Sequence, residues 1–442
     1  MPIDLDLNKH DYATLKGMLS ETNPVDIAEW INELDEQQPA IRLFRMLPKD
    51  KAAEVFAYLS RDMQESIITA IQDYEISNII NELFLDDAVD FIEEMPAGVV
   101  KRVLSNLSSD KRDMINHFLR YPEGSAGSIM TIEYVDLKEE MTVADAFNRI
   151  RRDGVDKETI YTCYVTDAAR HLLGVVSVRT LLLSSLEDKV ADIMTREVIY
   201  TSTIEDKENV VNEVKKYGLL AMPVVDNEKR LVGIVTFDDV LDVQEEEATE
   251  DFEIMAAMSP SEEPYMKTGI FVLAKNRIPW LMLLMLTATI TGGIIAQFEH
   301  ALSVMPVLIS FIPMLMDTAG NSGAQSATLI IRAIALDEIE KGMALKVWFK
   351  EIRVAMVCGF SLAFVNCVRI YIMHRDLILG ISVSLALWCT VLIAKTVGSL
   401  LPQLARKMNF DPAVMAAPAI TTIVDACALM IYFAIAKFVF KI

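Results

Sequence analysis

Positive charge, paired cysteines and nucleotide-hydrolysis motifs are scarce in this sequence of 442 residues. Lys and Arg number 41 against 63 Asp and Glu, which gives a formal net charge of −22. A nucleic-acid-binding protein needs a basic patch that neutralises phosphates, so the composition predicts no nucleic-acid partner and a preference for cations. The sequence contains no Walker motif or other catalytic constellation, so we expect neither ATP hydrolysis nor any enzyme activity.

Cysteine usage and the first residues exclude further classes. The 5 cysteines show no CxxC pairing and most lie in apolar segments, which indicates small core residues and not disulfides or zinc ligands. The opening MPIDLDLNKHDY is polar and acidic and has no secretory signal pattern, so we expect the N-terminal half to stay in the cytosol.

The N-terminal part, residues 1–125, has a helical pattern with an internal repeat. MLPKDKAAEVFAYLSRDMQESII, which begins at Met46, recurs as EMPAGVVKRVLSNLSSDKRDMIN from Glu94. Matching helix pairs of this kind predict an acidic α-solenoid domain. Within it, Asp86 and Asp90 lie one helical turn apart, where they could share a divalent ion with another domain. A solvated acidic face is the alternative that the sequence leaves open.

Two similar units follow over residues 126–244. GSIMTIEYVDL with LLGVVSVRTLL is echoed by ADIMTREVIYT with LVGIVTFDDVL, and alternating strands and helices of this kind predict packed α/β units. The pattern is similar to a tandem pair of CBS domains, a regulatory module that often binds adenine nucleotides. The resemblance therefore implies ATP or another adenine nucleotide as a further ligand of this pair, at residues that the sequence does not identify.

A connecting helix is predicted over residues 245–270, and an acidic run, DDVLDVQEEEATEDFE, leads into it. Several of these carboxylates lie three or four residues apart, and like charges at that spacing destabilise a helix. Either water and salt screen the repulsion at a surface, or divalent cations bridge the run to other acidic surfaces. Mg²⁺ keeps several waters and binds through one or two carboxylates, so scattered acidic pairs suit it.

The remainder, residues 271–442, is predicted to be an all-α membrane domain of five helices. The apolar segments are long enough for a bilayer, and they lie at about residues 279–298, 304–331, 354–373, 377–405 and 413–437. The distribution of Lys and Arg in the loops places the N-terminus in the cytosol and the C-terminus outside the plasma (inner) membrane. We expect Lys395 to extend its amine toward the inner membrane surface.

Two of these segments carry polar residues that suit an ion path. Asp425 lies near the middle of the last segment, where a charge costs roughly 2.5–3.5 kcal/mol and usually faces a cavity, a cation or the interior of a bundle. Asp317, Asn321 and Gln325 follow a spacing of four and would form one stripe of oxygen atoms on a helix. With Thr421 they are the predicted pore residues. An Asp425 that only accepts a hydrogen bond from a neighbouring helix is the alternative.

The stretches AGNSGAQSATLIIRA and DPAVMAAPAITTIVDA, with the order of domains, resemble the MgtE family of magnesium channels and transporters over essentially the whole chain. The resemblance implies Mg²⁺ as transported and regulatory ion, a homodimer, and a connecting helix that plugs the pore from the cytosol. Gly218 stands where a family member has a carboxylate. The positions that match the family's metal-sensing acids are Asp206, Glu208, Asp239, Asp242, Glu247, Glu250 and Asp251.

The sequence therefore predicts a Mg²⁺-selective channel or transporter that takes up Mg²⁺ passively and is closed by cytosolic Mg²⁺. A channel for other divalent ions such as Mn²⁺ or Co²⁺ is the first alternative. The second is a membrane-anchored metal or nucleotide sensor that conducts nothing. The polar stripes around Asp317 and Asp425 count against a sensor, because a simple anchor has no use for polar faces inside lipid.

Overall fold

A computed structural model describes residues 12–34, 37–261, 265–266, 268–336, 338–340, 342–408, 410–415 and 417–441. The chain divides into two compact units, Met1–Gln244 and Glu245–Ile442. Parts of the predicted solenoid domain (residues 1–11, 35 and 36), of the connecting segment (262–264 and 267) and of the membrane domain (337, 341, 409, 416 and 442) lie outside the described residues.

The first unit begins with short helices whose apolar faces share one core. Pro48 precedes α4 (Lys49–Ala57) and Pro96 precedes α8 (Ala97–Asn106) at matching places in the repeat, and Leu59 and Leu107 are buried just after the ends of these two helices. Alternate helices contact each other, α2 (Pro24–Asn32) with α4, α4 with α6 (Asp73–Glu82) and α6 with α8. A solenoid stays a prediction. The helices are α1 (Tyr12–Glu21), α2 (Pro24–Asn32), α3 (Gln37–Phe44), α4 (Lys49–Ala57), α5 (Arg61–Ala70), α6 (Asp73–Glu82), α7 (Leu85–Glu94), α8 (Ala97–Asn106) and α9 (Ser109–Phe118).

Two α/β motifs with the same strand order follow. In each sheet the first strand pairs parallel with the second, and the second pairs antiparallel with the third. The elements are β1 (Asp136–Leu137), α10 (Val143–Asp153), β2 (Thr162–Thr166), β3 (Leu172–Ser177), α11 (Val178–Leu183), α12 (Val190–Ile193), β4 (Thr201–Ser202), α13 (Lys207–Tyr217), β5 (Ala221–Val225), β6 (Leu231–Thr236) and α14 (Phe237–Met255).

Each of these motifs packs its central glycine against the IMT segment of the other. A Cβ on Gly174, in β3, would lie 2.8 Å from the sulfur of Met194 and 3.0 Å from the carbonyl oxygen of Thr195. A Cβ on Gly233, in β6, would lie 2.7 Å from the sulfur of Met130. The same contact between a strand glycine and an IMT segment is therefore made twice, each time between the two motifs.

Helix ends in this unit follow side-chain chemistry that the sequence carries. The Thr142 hydroxyl accepts a hydrogen bond from Asp145 N, and the Asp145 carboxylate accepts one from Thr142 N, a reciprocal capping box at the start of α10. Gly218 ends α13 with φ +63°, a left-handed conformation that a residue with a Cβ adopts only with strain. This conformation gives a local reason for a glycine at position 218.

The connecting helix differs from its predicted range. It begins at Phe237, within the range predicted for the CBS pair, and ends at Met255. Asp238 and Asp239 occupy its first turn, where negative side chains are favoured by the exposed backbone N–H groups. The same helix therefore carries acidic residues that belong to the first unit and others that belong to the second.

The second unit is helical, with α15 (Ile270–Gln297), α16 (Glu299–Val304), α17 (Ile312–Ala335), α18 (Ala344–His374), α19 (Leu377–Lys407) and α20 (Ala417–Phe440). Within the described residues, 4 helices are long and apolar enough to cross a membrane: α15, α18, α19 and the Ile420–Phe440 part of α20. Four of the five predicted segments thus contain a helix with the length and hydropathy of a membrane span, and the count of five stays a prediction. The remaining predicted segment contains α17, a helix of 24 residues with polar side chains along one face.

Candidate functional sites

Helix α17 carries its predicted polar stripe on an exposed face. Asp317, Asn321 and Gln325 are all exposed within the chain, whereas Ala319, Gly323 and other small residues on the opposite side of the helix are buried. The stripe therefore points away from the helices that pack on α17. An exposed row of oxygen-bearing side chains at membrane depth is suited to water, to an ion or to a second copy of the chain.

Asp425 lies where α20 packs against Gly320 of α17. A Cβ on Gly320 would lie 2.9 Å from Thr421 Cγ2 and 3.9 Å from Asp425 Oδ1, so the missing side chain lets the two helices approach. One charge that acts on Asp425 is Asp317, across the same helix contact. Asp425 Oδ1 is buried and has no hydrogen-bond partner among the residues that the structure describes. The structure thus places Thr421 and Asp425 beside Gly320 of α17, while Asp317 on the exposed stripe acts on Asp425 through its charge.

Asn321 and Gln325 share the stripe with Asp317 but are not tied to Asp425. In the described part of the chain, Asp425 Oδ1 accepts no hydrogen bond from either amide. The side chains of the stripe lie one helical turn apart, so an ion that moves along α17 would meet an oxygen atom at each turn.

Lys395 departs from its prediction. Its side chain is 7% exposed and does not extend to a surface, because Nζ donates a hydrogen bond to Ser326 Oγ at 3.2 Å and lies 4.0 Å from Glu351 Oε2. The prediction that this amine reaches the membrane surface was wrong. Hydropathy identified the helix, but the pattern could not show that α18 places a carboxylate beside this lysine.

In the first unit, α7 and the start of α14 place several carboxylates close enough for their charges to interact. Asp86 is 7% exposed and accepts a hydrogen bond from Asp87 N at 2.9 Å. Asp239 accepts a hydrogen bond from the Thr236 hydroxyl. Of the predicted sensing residues, the structure thus brings Asp86, Asp90 and Asp239 into one group, which we call the acidic cluster together with Asp87, Asp238 and Glu158.

The acidic cluster holds more negative charge than its surroundings neutralise. Burial, followed by the charges of Asp239 and Asp87, raises the pKa of Asp86 well above its usual range. The same causes raise the pKa of Asp90, one turn further along α7, to about 8. Burial and the charge of Asp238 raise the pKa of Glu158 to about 8. These carboxylates would ionise together more easily if a cation were present.

Two further members have smaller shifts because positive or hydrogen-bonding groups oppose burial. Burial and Asp238 raise the pKa of Asp87 to about 6, while Lys111 opposes the rise. Burial raises the pKa of Asp239 to about 6 against the hydrogen bond from Thr236. Lys111 donates its amine to the Leu83 carbonyl at 2.9 Å.

The other predicted sensing residues lie elsewhere. Asp206 caps α13, where its carboxylate accepts a hydrogen bond from Glu208 N at 2.9 Å, so its position also has a structural cause. Asp242, Glu247 and Glu250 are on α14 beyond the cluster. In the second unit, burial raises the pKa of Asp251, helped by Asp411 and Glu250 and opposed by Arg332.

The sequence interpretation missed several acidic residues of these groups. Asp87 and Asp238 are sequence neighbours of the predicted residues Asp86 and Asp239, and this adjacency was the signal available in the sequence. Glu158 comes from a loop, where no periodicity exists to predict its direction. Asp411 opens the DPAVMAAP stretch, and that position next to a membrane segment was the signal available in the sequence.

Within the described residues, no group of three or more His, Cys, Asp or Glu side chains is assembled with the geometry to hold a metal directly. Mg²⁺ commonly retains waters and uses only one or two carboxylates, so pairs of acids that repel each other meet its requirement.

Comparisons with known proteins agree with this arrangement. Residues 312–435 match a family described as a divalent cation transporter, residues 22–124 match the MgtE intracellular N domain, and residues 126–187 and 190–246 match the CBS domain. The chain is 37% identical over 435 residues to the magnesium transporter MgtE of Thermus thermophilus, covering 98% of this chain and 96% of that protein.

A second relative, the magnesium transporter MgtE of Bacillus subtilis, is 32% identical over 421 residues, 95% of this chain and 93% of its own. A crystal structure of the cytosolic domain of the Mg²⁺ channel MgtE in complex with ATP is 38% identical, with a TM-score of 0.51. It covers 54% of this chain and 96% of that one.

The fold and these similarities define a multi-pass membrane protein of the divalent cation transporter class, with an N-terminal helical domain and a CBS pair. The chain belongs to the MgtE family.

Proposed function

We propose that this protein is a Mg²⁺-selective channel or transporter that lets Mg²⁺ enter the cell down its electrochemical gradient. The observation that carries the proposal is the placement of Asp425 against the glycine face of α17, within reach of the Asp317 charge. An acid that remains without a hydrogen-bond partner among the described residues is suited to a hydrated cation. The names of the relatives supply Mg²⁺ as the ion.

The path is completed by a second copy of the chain. The stripe of Asp317, Asn321 and Gln325 is exposed, although it is too polar to face lipid. A twofold axis beside α17 and α20 would place two stripes and two Asp425 side chains around one channel, and twofold dimers are the commonest symmetric assembly. In this homodimer α17 is the fifth membrane span, the N-terminal domains are cytosolic, and the C-terminus is outside the plasma membrane.

Cytosolic Mg²⁺ closes the path through the acidic surfaces. Burial, with the charges of neighbouring carboxylates as a second cause, raises the pKa values of Asp90 and Glu158, which supports a cluster that resists full ionisation until a cation binds. Mg²⁺ that binds the acidic cluster more tightly in the closed state than in the open state shifts the protein toward the closed state. Along the chain, α14 connects this cluster to Glu247, Glu250 and Asp251. The other predicted sensing acids, Asp206, Glu208 and Asp242, act as further weak Mg²⁺ sites.

The CBS pair is the proposed site of an adenine nucleotide. The support is the ATP complex of a similar cytosolic domain, which is 38% identical to this chain. Binding that favours one arrangement of the pair would shift the Mg²⁺ concentration needed for closure, because a ligand moves a two-state equilibrium by its differential affinity.

A broader divalent cation channel is the second candidate. The family description refers to divalent cations in general, and hydrated Mn²⁺ or Co²⁺ can meet the same carboxylates. Selectivity for Mg²⁺ therefore has to be tested by comparison between ions.

Ion flux into proteoliposomes that contain the full chain tests the proposal. The wild type should carry Mg²⁺ faster than Mn²⁺, Co²⁺ or Ca²⁺, and Asp425→Asn, which keeps the shape of the side chain, should abolish the Mg²⁺ flux. Asp376→Asn is the matched control. Asp376 caps α19 by accepting hydrogen bonds from Ile378 N and Leu379 N, and Asn caps helices equally well. Wild-type flux from the Asp425 variant would reject the pore assignment.

A further inference from the structure

Three side chains from three different helices meet inside the membrane unit. Ser326 of α17 donates its hydroxyl to Glu351 Oε2 of α18 at 2.6 Å, and Lys395 of α19 donates to Ser326 Oγ at 3.2 Å. Lys395 Nζ and Glu351 Oε2 lie 4.0 Å apart. Ser326 is fully buried, and the side chains of Lys395 and Glu351 are 7% and 12% exposed. We call this group the buried triad.

The buried triad is not explained by stability alone. Charged side chains within membrane helices are expensive, and they commonly mark positions used for function. A buried ion pair can often be replaced by apolar residues of similar size without loss of stability, whereas removal of one partner leaves an uncompensated charge. The pair therefore suggests a role that depends on where its hydrogen bonds hold the neighbouring helices.

The serine of the triad belongs to the helix that bears the polar stripe. Ser326 follows Gln325 directly, and successive residues of a helix point about 100° apart, so the direction of one side chain determines the direction of the other. One turn before Ser326, Gly323 packs against α19, because a Cβ on Gly398 would lie 2.3 Å from the Gly323 carbonyl oxygen. This backbone contact sets the distance between α17 and α19. Because neither glycine has a side chain, the contact does not by itself fix the rotation of α17 about its own axis.

We propose that Lys395 and Glu351 are positioning residues for ion passage, which act through Ser326 to fix the rotation of α17 about its axis. With Ser326 held between an amine and a carboxylate on two other helices, Asp317, Asn321 and Gln325 face the path and Gly320 faces Asp425. This inference rests on the proposed ion path and assigns a role to residues that do not line it.

The test compares variants of the full chain in proteoliposomes. Glu351→Leu with Lys395→Met replaces both charges by apolar side chains of similar size. Ser326→Ala removes only the hydroxyl, and Ser326→Thr keeps a hydroxyl at the same carbon. Ser399→Ala is the matched control, because Ser399 is also fully buried but donates its hydroxyl to the Thr396 carbonyl of its own helix. Flux of Mg²⁺, Mn²⁺ and Co²⁺ and the thermal midpoint in detergent are measured for each variant.

The double variant should keep a midpoint close to that of the wild type while its Mg²⁺ flux falls roughly tenfold, a loss below the ~10²-fold that an ångström-scale displacement produces in an enzyme site. Its preference for Mg²⁺ over Co²⁺ should weaken, which a merely structural role would not cause. Ser326→Ala should show the same change, Ser326→Thr should restore much of the flux, and Ser399→Ala should behave as the wild type.

Wild-type flux and ion preference in the folded double variant would overturn the inference. So would equal behaviour of Ser326→Ala and Ser399→Ala, and this comparison decides the matter if the double variant does not fold. A wild type that carries no Mg²⁺ in the same vesicles would instead reject the transport function on which the inference depends.

Discussion

A Cβ on Gly398 would lie 2.3 Å from the carbonyl oxygen of Gly323, so α19 and α17 meet backbone to backbone. A Cβ on Gly323 would in turn lie 2.8 Å from Ile420 Cγ2 of α20 and 3.4 Å from the Ala394 carbonyl oxygen of α19. The glycines therefore let α17, the helix with the polar stripe, pack closely against both α19 and α20. Small residues at helix interfaces allow this close packing in membranes.

Gly398→Ala should destabilise the membrane unit and reduce ion flux. The added methyl meets backbone, which cannot move aside as a flexible side chain can, so we expect a loss of roughly 1–3 kcal/mol in the free energy of unfolding. Thermal unfolding of the full chain in detergent and Mg²⁺ flux measure the two effects. Gly293→Ala in α15 is the control, because a Cβ there meets nothing within 4 Å. Equal effects of the two substitutions would contradict the close contact.

Neutralisation of Glu247, Glu250 and Asp251 to Gln and Asn should leave a path that stays open at cytosolic Mg²⁺ concentrations that close the wild type. Loss of these weak sites should shift the half-closing concentration upward by roughly tenfold, which corresponds to a coupling free energy within about 1–3 kcal/mol. Excised inside-out patches, with Mg²⁺ titrated on the cytosolic face, give the curve.

The matched control for this variant removes the same charge elsewhere. Glu21, Glu29 and Glu33 are exposed acids on and beside the first helices, and their replacement by Gln should leave the closing curve unchanged. An unshifted curve in the α14 variant would mean that its acidic run is only a solvated face.

The acidic cluster should make the Mg²⁺-free protein less stable as pH rises from about 5 to 8. Burial raises the pKa of Asp87 and Asp239 to about 6 and of Asp90 and Glu158 to about 8, above an ordinary value of about 4. The folded protein then holds more protons than the unfolded chain across this interval, so its stability falls as those protons leave. Mg²⁺ should reverse the trend and release protons when it binds.

Thermal unfolding of the full chain at several pH values, with a chelator or with Mg²⁺, measures this dependence. Asp90→Asn removes one of the strongly shifted groups and should flatten the chelator curve. A midpoint that rises with pH in chelator would contradict mutual repulsion within the cluster.

Sequence patterns predicted the helix and strand order well because apolar periodicity records which side of an element is buried. They also identified Asp425 and Asp317, since a charge in an apolar helix is visible without a structure. They did not show that Gly320 lets α20 approach Asp425, because spacing along a chain does not reveal which helix lies opposite. Lys395 illustrates the same limit, because its partner Glu351 comes from another helix and nothing in the spacing of the two residues pairs them.

Gly218→Ala and Gly98→Ala should change stability in opposite directions. Gly218 has φ +63°, where an added Cβ costs about 1–2 kcal/mol. Gly98 lies in the first turn of α8, where alanine is favoured over glycine by at most about 0.5–1 kcal/mol, the value for a helix interior, and a Cβ there meets nothing within 4 Å. Thermal midpoints of the two variants test the assignment, and a stabilising Gly218→Ala would show that α13 does not end in the left-handed conformation.

The exchanged IMT segments make the two CBS motifs mutually dependent for folding. Thr131 forms a bridge with Ile234 and Thr195 forms one with Val175, so each three-stranded sheet is extended by backbone from the other motif. A single motif expressed alone would leave a sheet edge uncovered and an empty groove beside Gly174 or Gly233, a state prone to pairing with other chains. The pair should therefore unfold as one cooperative block, and a lesion in either sheet would weaken both.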